Sequence, residues 1–309
     1  MNNNSIEVIN LSKTFGNFIA VDNINFSVKK GEIFGFLGAN GAGKSTTIRM
    51  LCALLEPTSG TAIVGGYDIV KQPELVKKNI GYMSQKFSLY DDLTVQENIN
   101  FFGSIYGLYG KEMDDRKSWV LEIANLKDLK NRITGTLPGG LRQRLALGCA
   151  TIHKPKILFL DEPTGGVDPI SRRMFWDLIN NLSEDGITIF VTTHFLDEAE
   201  YCNSIYLIHE GKIVAGGSPN YLKKEHIKGF IFEIECDNII NAMEILSSYN
   251  FISSISIFGS YLHIQILDKN VLGIIENILK QNNITISRID IITPSLEDVF
   301  ISLIEKKRN

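Results

Sequence analysis

No cysteine in this chain stands near another. The four, Cys52, Cys149, Cys202 and Cys236, are spread along the sequence without a C-x-x-C pair. That excludes a disulfide framework and a local zinc site, and reads as small buried hydrophobes in a reducing compartment. An excess of basic residues is also lacking. Lys and Arg number 31 against 35 Asp and Glu, a net charge of −4, so the electrostatic footprint of a nucleic-acid binder is absent. The segment 245–267 has no charged residue, yet it contains Asn250, His263, Gln265 and several serines, with Phe258-Gly259-Ser260 as a turn. FISSISI and YLHIQIL alternate apolar with polar, which predicts two half-buried strands and not a membrane-spanning helix. The opening, MNNNSIEVIN, lacks the layout of a signal peptide. The expectation is a soluble chain, and 309 residues at 44% apolar content suffice for two domains.

What is present is ordered. Alternating segments before residue 35 read as antiparallel strands feeding a buried strand at Ile33–Leu37, followed by a helix from Ser45 to about Leu55, before the Glu56–Gly60 breaker. Leu93 to about Lys130 is helix-rich, and Thr94 with Glu97 forms a capping box. KILFL and ITIFV flank an amphipathic helix around Arg172–Leu182, which implies parallel strands covered by helices. After Gly216-Gly217-Ser218-Pro219 the pattern becomes strand, helix, two strands, helix, strand, helix, a small α+β unit. The sequence places the boundary between domains 1–222 and 223–309, with a helical subdomain at about 87–155.

Gly38-Ala39-Asn40-Gly41-Ala42-Gly43-Lys44-Ser45-Thr46 fits G-x-x-x-x-G-K-[ST] between a strand and a helix. Glycines there turn backbone amides onto phosphate, and the helix N-terminus adds positive potential. Lys44 suits β- and γ-phosphates, and the Ser45 hydroxyl suits Mg²⁺. In LFLDEPT, Asp161 and Glu162 end a strand at the edge where ligands bind: Asp161 for Mg²⁺ through water, Glu162 as general base. Several residues carry two readings at this stage. His194 is a contact for the γ-phosphate or Glu162, or a structural histidine. Gln85 touches Mg²⁺ or the attacking water, or lies on the surface. Phe15 stacks on adenine or fills the first hairpin's core.

In this order the motifs resemble the ATP-binding cassette ATPases, the nucleotide-binding subunits of ABC transporters. The resemblance spans about residues 5–220, and includes a signature-like Leu137–Gln143 and a D-loop-like Gly165–Asp168. THFLDEAE and PSLEDVF resemble the subgroup serving ABC-2-type exporters of drugs and antibiotics, whose accessory domain the C-terminal unit also resembles. The resemblance implies a P-loop NTPase (RecA-like) core with an antiparallel β subdomain and an α-helical signature subdomain. It implies ATP and Mg²⁺ as cofactors and ATP hydrolysis powering transport. The partners it implies are a second nucleotide-binding subunit and separate membrane permease subunits, at the cytoplasmic face of the cell membrane. Gly139 and Gly140 then face the ATP of the partner subunit. Other readings are a soluble cassette acting on the ribosome or nucleic acid, and a nucleotide-switched binding module with little turnover.

The departures matter as much as the matches. Where the family signature reads Leu-Ser-Gly-Gly-Gln, this chain has Pro138 for the serine and Leu141 for the glutamine. Pro138 removes a hydroxyl and an amide donor, each bond to a charged group being worth ~1.5–3 kcal/mol. Proline at the first helical position preserves the backbone path. The glycine amides, the helix dipole, Arg142 and Arg144 remain, and Gly165-Gly166 lacks the usual D-loop serine. The expectation is weaker ATP-driven dimerisation with intact chemistry. Phe101–Tyr109, apolar and aromatic, reads either as a core helix or as a contact for a membrane partner.

Overall fold

The computed structural model describes residues 3–85 and 89–308. The chain divides into two compact units, Met1–Gly216 and Gly217–Asn309. The sequence boundary at 222/223 falls inside a helix of the second unit, α7 (Pro219–His226), which the sequence reading missed. Ser218 caps that helix by accepting a hydrogen bond from Tyr221 N, with Pro219 in its first turn.

The first unit is built on a six-stranded sheet in the order β10-β9-β3-β8-β7-β6. These are β3 (Ile33–Leu37), β6 (Ile80–Met83), β7 (Ile157–Asp161), β8 (Thr188–Thr193), β9 (Ser204–His209) and β10 (Lys212–Gly217). β3 runs parallel to β8 and β9, and β7 parallel to β6 and β8. IFGFL, ILFLD and TIFVTT are buried at every position, as strands covered on both faces must be. A second, antiparallel sheet orders β1 (Asn4–Phe15), β2 (Phe18–Lys29), β4 (Ser59–Val64) and β5 (Tyr67–Asp68) as β2-β1-β4-β5. The two sheets share one core, in which Phe26 stacks on Phe34 with ring centroids 5.3 Å apart.

Helices α1 (Lys44–Leu51), α2 (Pro73–Asn79) and α6 (Pro169–Glu184) belong to this framework. The sequence extends α1 to Leu55, but it stops at Leu51. Ala53 turns to a positive φ of 54°, and the N–H groups of Leu54 and Leu55 both donate back to Arg49 O. This left-handed C-terminal closure ends the helix ahead of Pro57. Helices α3 (Val95–Ile105), α4 (Gly110–Ile123) and α5 (Gly139–Thr151) surround a separate apolar cluster, Val95, Ile99, Leu108, Val120, Leu145 and Ile152 among them. The capping box at Thr94 and Glu97 is formed in both directions. The start of the helical subdomain at residue 87 lies outside the described residues.

The second unit has the β-α-β-β-α-β order of a ferredoxin-like fold, a form the sequence pattern left unnamed. β11 (Phe230–Cys236), α8 (Ile239–Leu246), β12 (Ile252–Phe258), β13 (Tyr261–Ile266), α9 (Leu272–Gln281) and β14 (Ile286–Ile292) give the antiparallel sheet β12-β13-β11-β14. FISSISI and YLHIQIL are strands as expected, but β13 is not half-exposed: His263 and Gln265 are buried along with Leu262, Ile264 and Ile266. For His263 the reason is α10 (Leu296–Arg308), which supplies a carboxylate to the polar face, whereas Gln265 Nε2 donates to Lys228 O at 2.8 Å. His263 Nδ1 lies 2.9 Å from Asp298 Oδ1, and Nε2 lies 3.3 Å from Glu233 Oε2. Burial opposes the charged ring, but the two carboxylates outweigh it and hold the His263 pKa above its ordinary value. Among the described residues, no helix is long and apolar enough to cross a membrane.

Candidate functional site

β3 delivers the chain to a loop where side chains do not fit. A Cβ on Gly38 would meet Ile208 O at 2.2 Å, and one on Gly43 would meet Ala20 O at 2.5 Å, with Gly43 at φ 109°. Gly43 is the N-cap of α1, so Lys44, Ser45 and Thr46 form its first turn at the positive end of the helix. Thr47 Oγ1 donates to Gly43 O at 2.9 Å and tightens the corner. Asn40, Gly41, Gly43, Lys44, Ser45 and Thr46 line a cleft of about 360 Å³ with Phe18, Ala20, Gln85 and Glu162. Ala39 and Ala42 belong to the loop behind it, where Ala42 N donates to Ala39 O.

The end of β7 brings the two carboxylates to this cleft. Ser45 Oγ donates to Asp161 Oδ1 at 3.0 Å, and Thr192 Oγ1 donates to the same oxygen at 2.7 Å. Burial raises the Asp161 pKa, and those two hydroxyls only partly oppose it. Glu162, buried, takes a left-handed backbone with φ 46°, uncommon for a side chain of this size. Its amide is held by Thr192 O and Thr192 Oγ1 at 3.1 and 3.0 Å. Strain of this kind costs ~1–3 kcal/mol and persists where surroundings enforce it.

Three nitrogen-bearing side chains converge on the Glu162 carboxylate. Lys44 Nζ, buried like its partner, lies 3.0 Å from Oε1 and also donates to Gly38 O and Ala39 O at 2.8 and 3.1 Å. Gln85 Nε2 donates to Oε2 at 2.9 Å, and His194 Nδ1 lies 3.4 Å from the same atom. Lys44, Ser45, Gln85, Asp161, Glu162 and His194, distant in sequence, thus meet at one corner.

Other expected residues stand apart from it. Phe15 is exposed at the tip of the first hairpin, with Lys13 Nζ 5.2 Å from its ring centre, so the core reading fails. Phe18, its cross-strand partner, is 63% exposed and lines the cleft itself. The sequence reading missed Phe18, and also Thr192. An aromatic at the far end of a two-residue turn, and a threonine two residues before the histidine, were the available signals.

Gly139 and Gly140 open α5, but Pro138 is the N-cap and not the first helical residue. Its carbonyl accepts from both Leu141 N and Arg142 N, and φ −53° with ψ 150° is the extended cap geometry. Gly139 is exposed, whereas Gly140 is buried where a Cβ would come within 2.5 Å of Ser171 Oγ. Leu141 packs partly into the helical cluster. Arg142 pairs with Asp91, and Arg144 reaches towards Met174 Sδ. Gly166 has φ 73°, and Asp168 caps α6 by accepting from Ser171 N at 2.9 Å. Phe101–Tyr109 divides between its two readings: Phe102 and Leu108 pack inward, while Phe101, Ile105 and Tyr109 point outward.

A glycine-lined phosphate loop, carboxylates at the carboxyl edge of a parallel sheet and an inserted helical subdomain define a P-loop ATPase cassette. Residues 21–165 match the family described as ABC transporter, and residues 217–304 match the C-terminal domain of DrrA1-3-like ATP-binding proteins. The linearmycin resistance ATP-binding protein LnrL of Bacillus subtilis is 34% identical over 96% of this chain and 97% of its own length. The probable multidrug ABC transporter ATP-binding protein YbhF of Escherichia coli is 53% identical over 71% of this chain, and the chain spans 38% of YbhF. The doxorubicin resistance ATP-binding protein DrrA of Mycobacterium tuberculosis is 38% identical over 72% of this chain and 69% of its own length. Among solved structures, cbiO1 of Clostridium perfringens superposes with a TM-score of 0.67 at 27% identity, covering 72% of this chain and 92% of that one. A dimeric ATP-binding cassette, MJ0796, bound to ADP and phosphate, superposes with a TM-score of 0.63 at 26% identity, covering 69% and 98%. The chain belongs to the family of ABC transporter ATP-binding proteins.

Proposed function

We propose that this protein hydrolyses ATP to ADP and phosphate as the nucleotide-binding subunit of an ABC-2-type exporter. The observation that carries the reading is the convergence of Lys44, Gln85 and His194 on Glu162 beside the Ser45–Asp161 pair. The loop amides of residues 39–46 bind the β-phosphate, and Phe15 and Phe18 offer a face to adenine. As the γ-phosphate enters, it competes with Glu162 for the Lys44 ammonium. Glu162 Oε1 is then released to take a proton from the attacking water, while Gln85 and His194 hold its other oxygen and the γ-phosphate.

The donor set fits Mg²⁺. Among the described residues, no three His, Cys, Asp or Glu side chains converge as a metal cage. A hydroxyl and a carboxylate completed by phosphate oxygens is the usual way this ion is held. Ser45, Asp161 (through water) and the Gln85 amide would hold it, where it would neutralise charge on the phosphates. Asp161, destabilised by burial, gains most from a cation there.

Gly139 and Gly140 face the ATP of a second nucleotide-binding subunit, a copy of this chain or a relative, with Pro138 weakening that contact. Phe101 and Ile105, one turn apart on α3, and Tyr109, the N-cap of α4, are exposed and face the membrane permease subunits at the cytoplasmic face of the membrane. The names of LnrL, DrrA and YbhF support an exporter of antibiotic- or drug-like molecules. Purifying the tagged chain from its own cell membranes is expected to recover a multi-span protein. Recovery of ribosomes without an integral membrane protein would overturn the transport reading.

A further inference from the structure

Glu198 is a buried carboxylate, 1% exposed, that the catalytic reading leaves without a role. It begins a short 3₁₀ turn, Glu198–Tyr201, after the loop that follows β8. Burying a charge is unfavourable unless it is paired and hydrogen-bonded. Glu198 Oε1 accepts from Thr164 Oγ1, and Oε2 accepts from Thr193 Oγ1 at 2.8 Å. Arg172 of α6 brings its Nε to 3.4 Å from Oε1, near enough for charge attraction although the N–H has no well-aimed acceptor.

These three partners belong to the three segments that frame the site. Thr164 lies two residues after Glu162, and its carbonyl accepts from Val167 N in the turn leading to α6. Thr193 precedes His194, and its hydroxyl also accepts from Phe195 N at 3.0 Å. Arg172 sits in the first turns of α6, with its guanidinium 4.2 Å from the Phe195 ring and Nη1 3.7 Å from Asp197 Oδ2. One carboxylate therefore ties the Glu162 turn, the His194 loop and the start of α6 together from behind.

We propose that Glu198 is a positioning residue that fixes the spacing between Glu162 and His194, and couples both to the start of α6. It touches no reacting atom and acts through the Thr164 and Thr193 hydroxyls. Replacing the carboxylate by an amide keeps the shape but supplies one acceptor where two hydroxyls and a guanidinium need a charge. The Glu162 and His194 segments then lose their common anchor. This inference rests on the ATPase reading above.

The test compares the full-length wild type, Glu198→Gln, Thr193→Val and Thr193→Ser. For Glu198→Gln and Thr193→Val, kcat is expected to fall about ten- to a hundredfold with KM for ATP within about twofold, the pattern of a misplaced reacting geometry. Thr193→Ser keeps the hydroxyl and is expected to stay near wild type. In the nucleotide-free protein, the His194 ring resonances, assigned by their loss in His194→Gln, are expected to move in Glu198→Gln. Unchanged kcat in Glu198→Gln, or an unmoved His194 resonance in a folded protein, would overturn the proposal. A wild type with no ATPase activity would instead contradict the functional reading, while the resonance shift still tests the positioning.

Discussion

Single atoms decide how much of the chemistry this chain keeps. Pro138 stands at the N-cap of α5, where serine is among the best residues because its hydroxyl accepts from the next helical amides. Pro138→Ser is therefore expected to stabilise the fold by about 0.5–2 kcal/mol, read as a rise in thermal midpoint. It is also expected to tighten ATP-driven dimerisation in a Glu162→Gln background; unchanged dimer affinity would show that proline does not weaken this corner. Leu141→Gln belongs in a separate variant, because Leu141 packs into the helical cluster and its loss perturbs folding too. Asp161 offers a second test. Its folded-state pKa lies above the ordinary value through burial, so the stability tied to its protonated form is present at low pH and lost as pH rises through the folded value. At neutral pH, Asp161→Asn keeps an acceptor for Ser45 and Thr192 and sheds the buried charge. It is expected to raise the nucleotide-free melting temperature while abolishing turnover, and a lower melting temperature would contradict the burial argument.

At the scale of elements, packing explains both what the sequence made legible and what it hid. The strand before the phosphate loop, the capping box at Thr94 and the strand–helix alternation of the last unit are local signals. Each was readable because propensity and pattern agree there. The end of α1 was not readable, since Ala53 adopts a left-handed turn without being glycine. Helix α7 escaped because its apolar content is low, and its Ser218 cap looked like part of a loop. The burial of His263 and Gln265 could not be seen from β13 alone, because Asp298 of α10 pairs with His263 from more than thirty residues later and Gln265 is held by the Lys228 carbonyl. The corner around Glu162 was legible as motifs, whereas the Glu198 anchor was not, because Thr164, Thr193 and Arg172 meet only in three dimensions.

Two expectations belong to this scale. Gly140→Ala puts a methyl against Ser171 between α5 and α6, and is expected to destabilise by about 1–3 kcal/mol in denaturant melts. In the second unit, the raised His263 pKa contributes stability that is complete below its ordinary 6.5 and lost as pH rises through the folded value. The Asp298 pKa is held low because its bonds to His263 and Ser295 outweigh burial, so its contribution is present above 3.8 and lost as pH falls through the lowered value. Protection of β13 and α10 amides, taken relative to the intrinsic exchange rate at each pH, is therefore expected to be greatest in mildly acidic solution. His263→Gln should flatten the alkaline side of that profile.

For the molecule as a whole, the separation of tasks follows from where apolar surface and charge lie. The parallel core presents a charged, glycine-lined edge for nucleotide, and the helical subdomain presents Phe101, Ile105 and Tyr109 outward. Among the described residues, no helix is long and apolar enough to span a bilayer. Among its described residues, the C-terminal unit carries no comparable cluster of catalytic side chains, and a clasp fastens its last helix to its sheet. The most direct measurement of the central claim is phosphate release from ATP by the purified full chain with Mg²⁺, beside Lys44→Ala and Glu162→Gln. The wild type is expected to turn over, with Glu162→Gln slower by about a hundredfold or more and Lys44→Ala failing to bind ATP productively. A folded wild type that releases phosphate no faster than either variant would contradict the account, and make the protein a nucleotide-gated binding module instead.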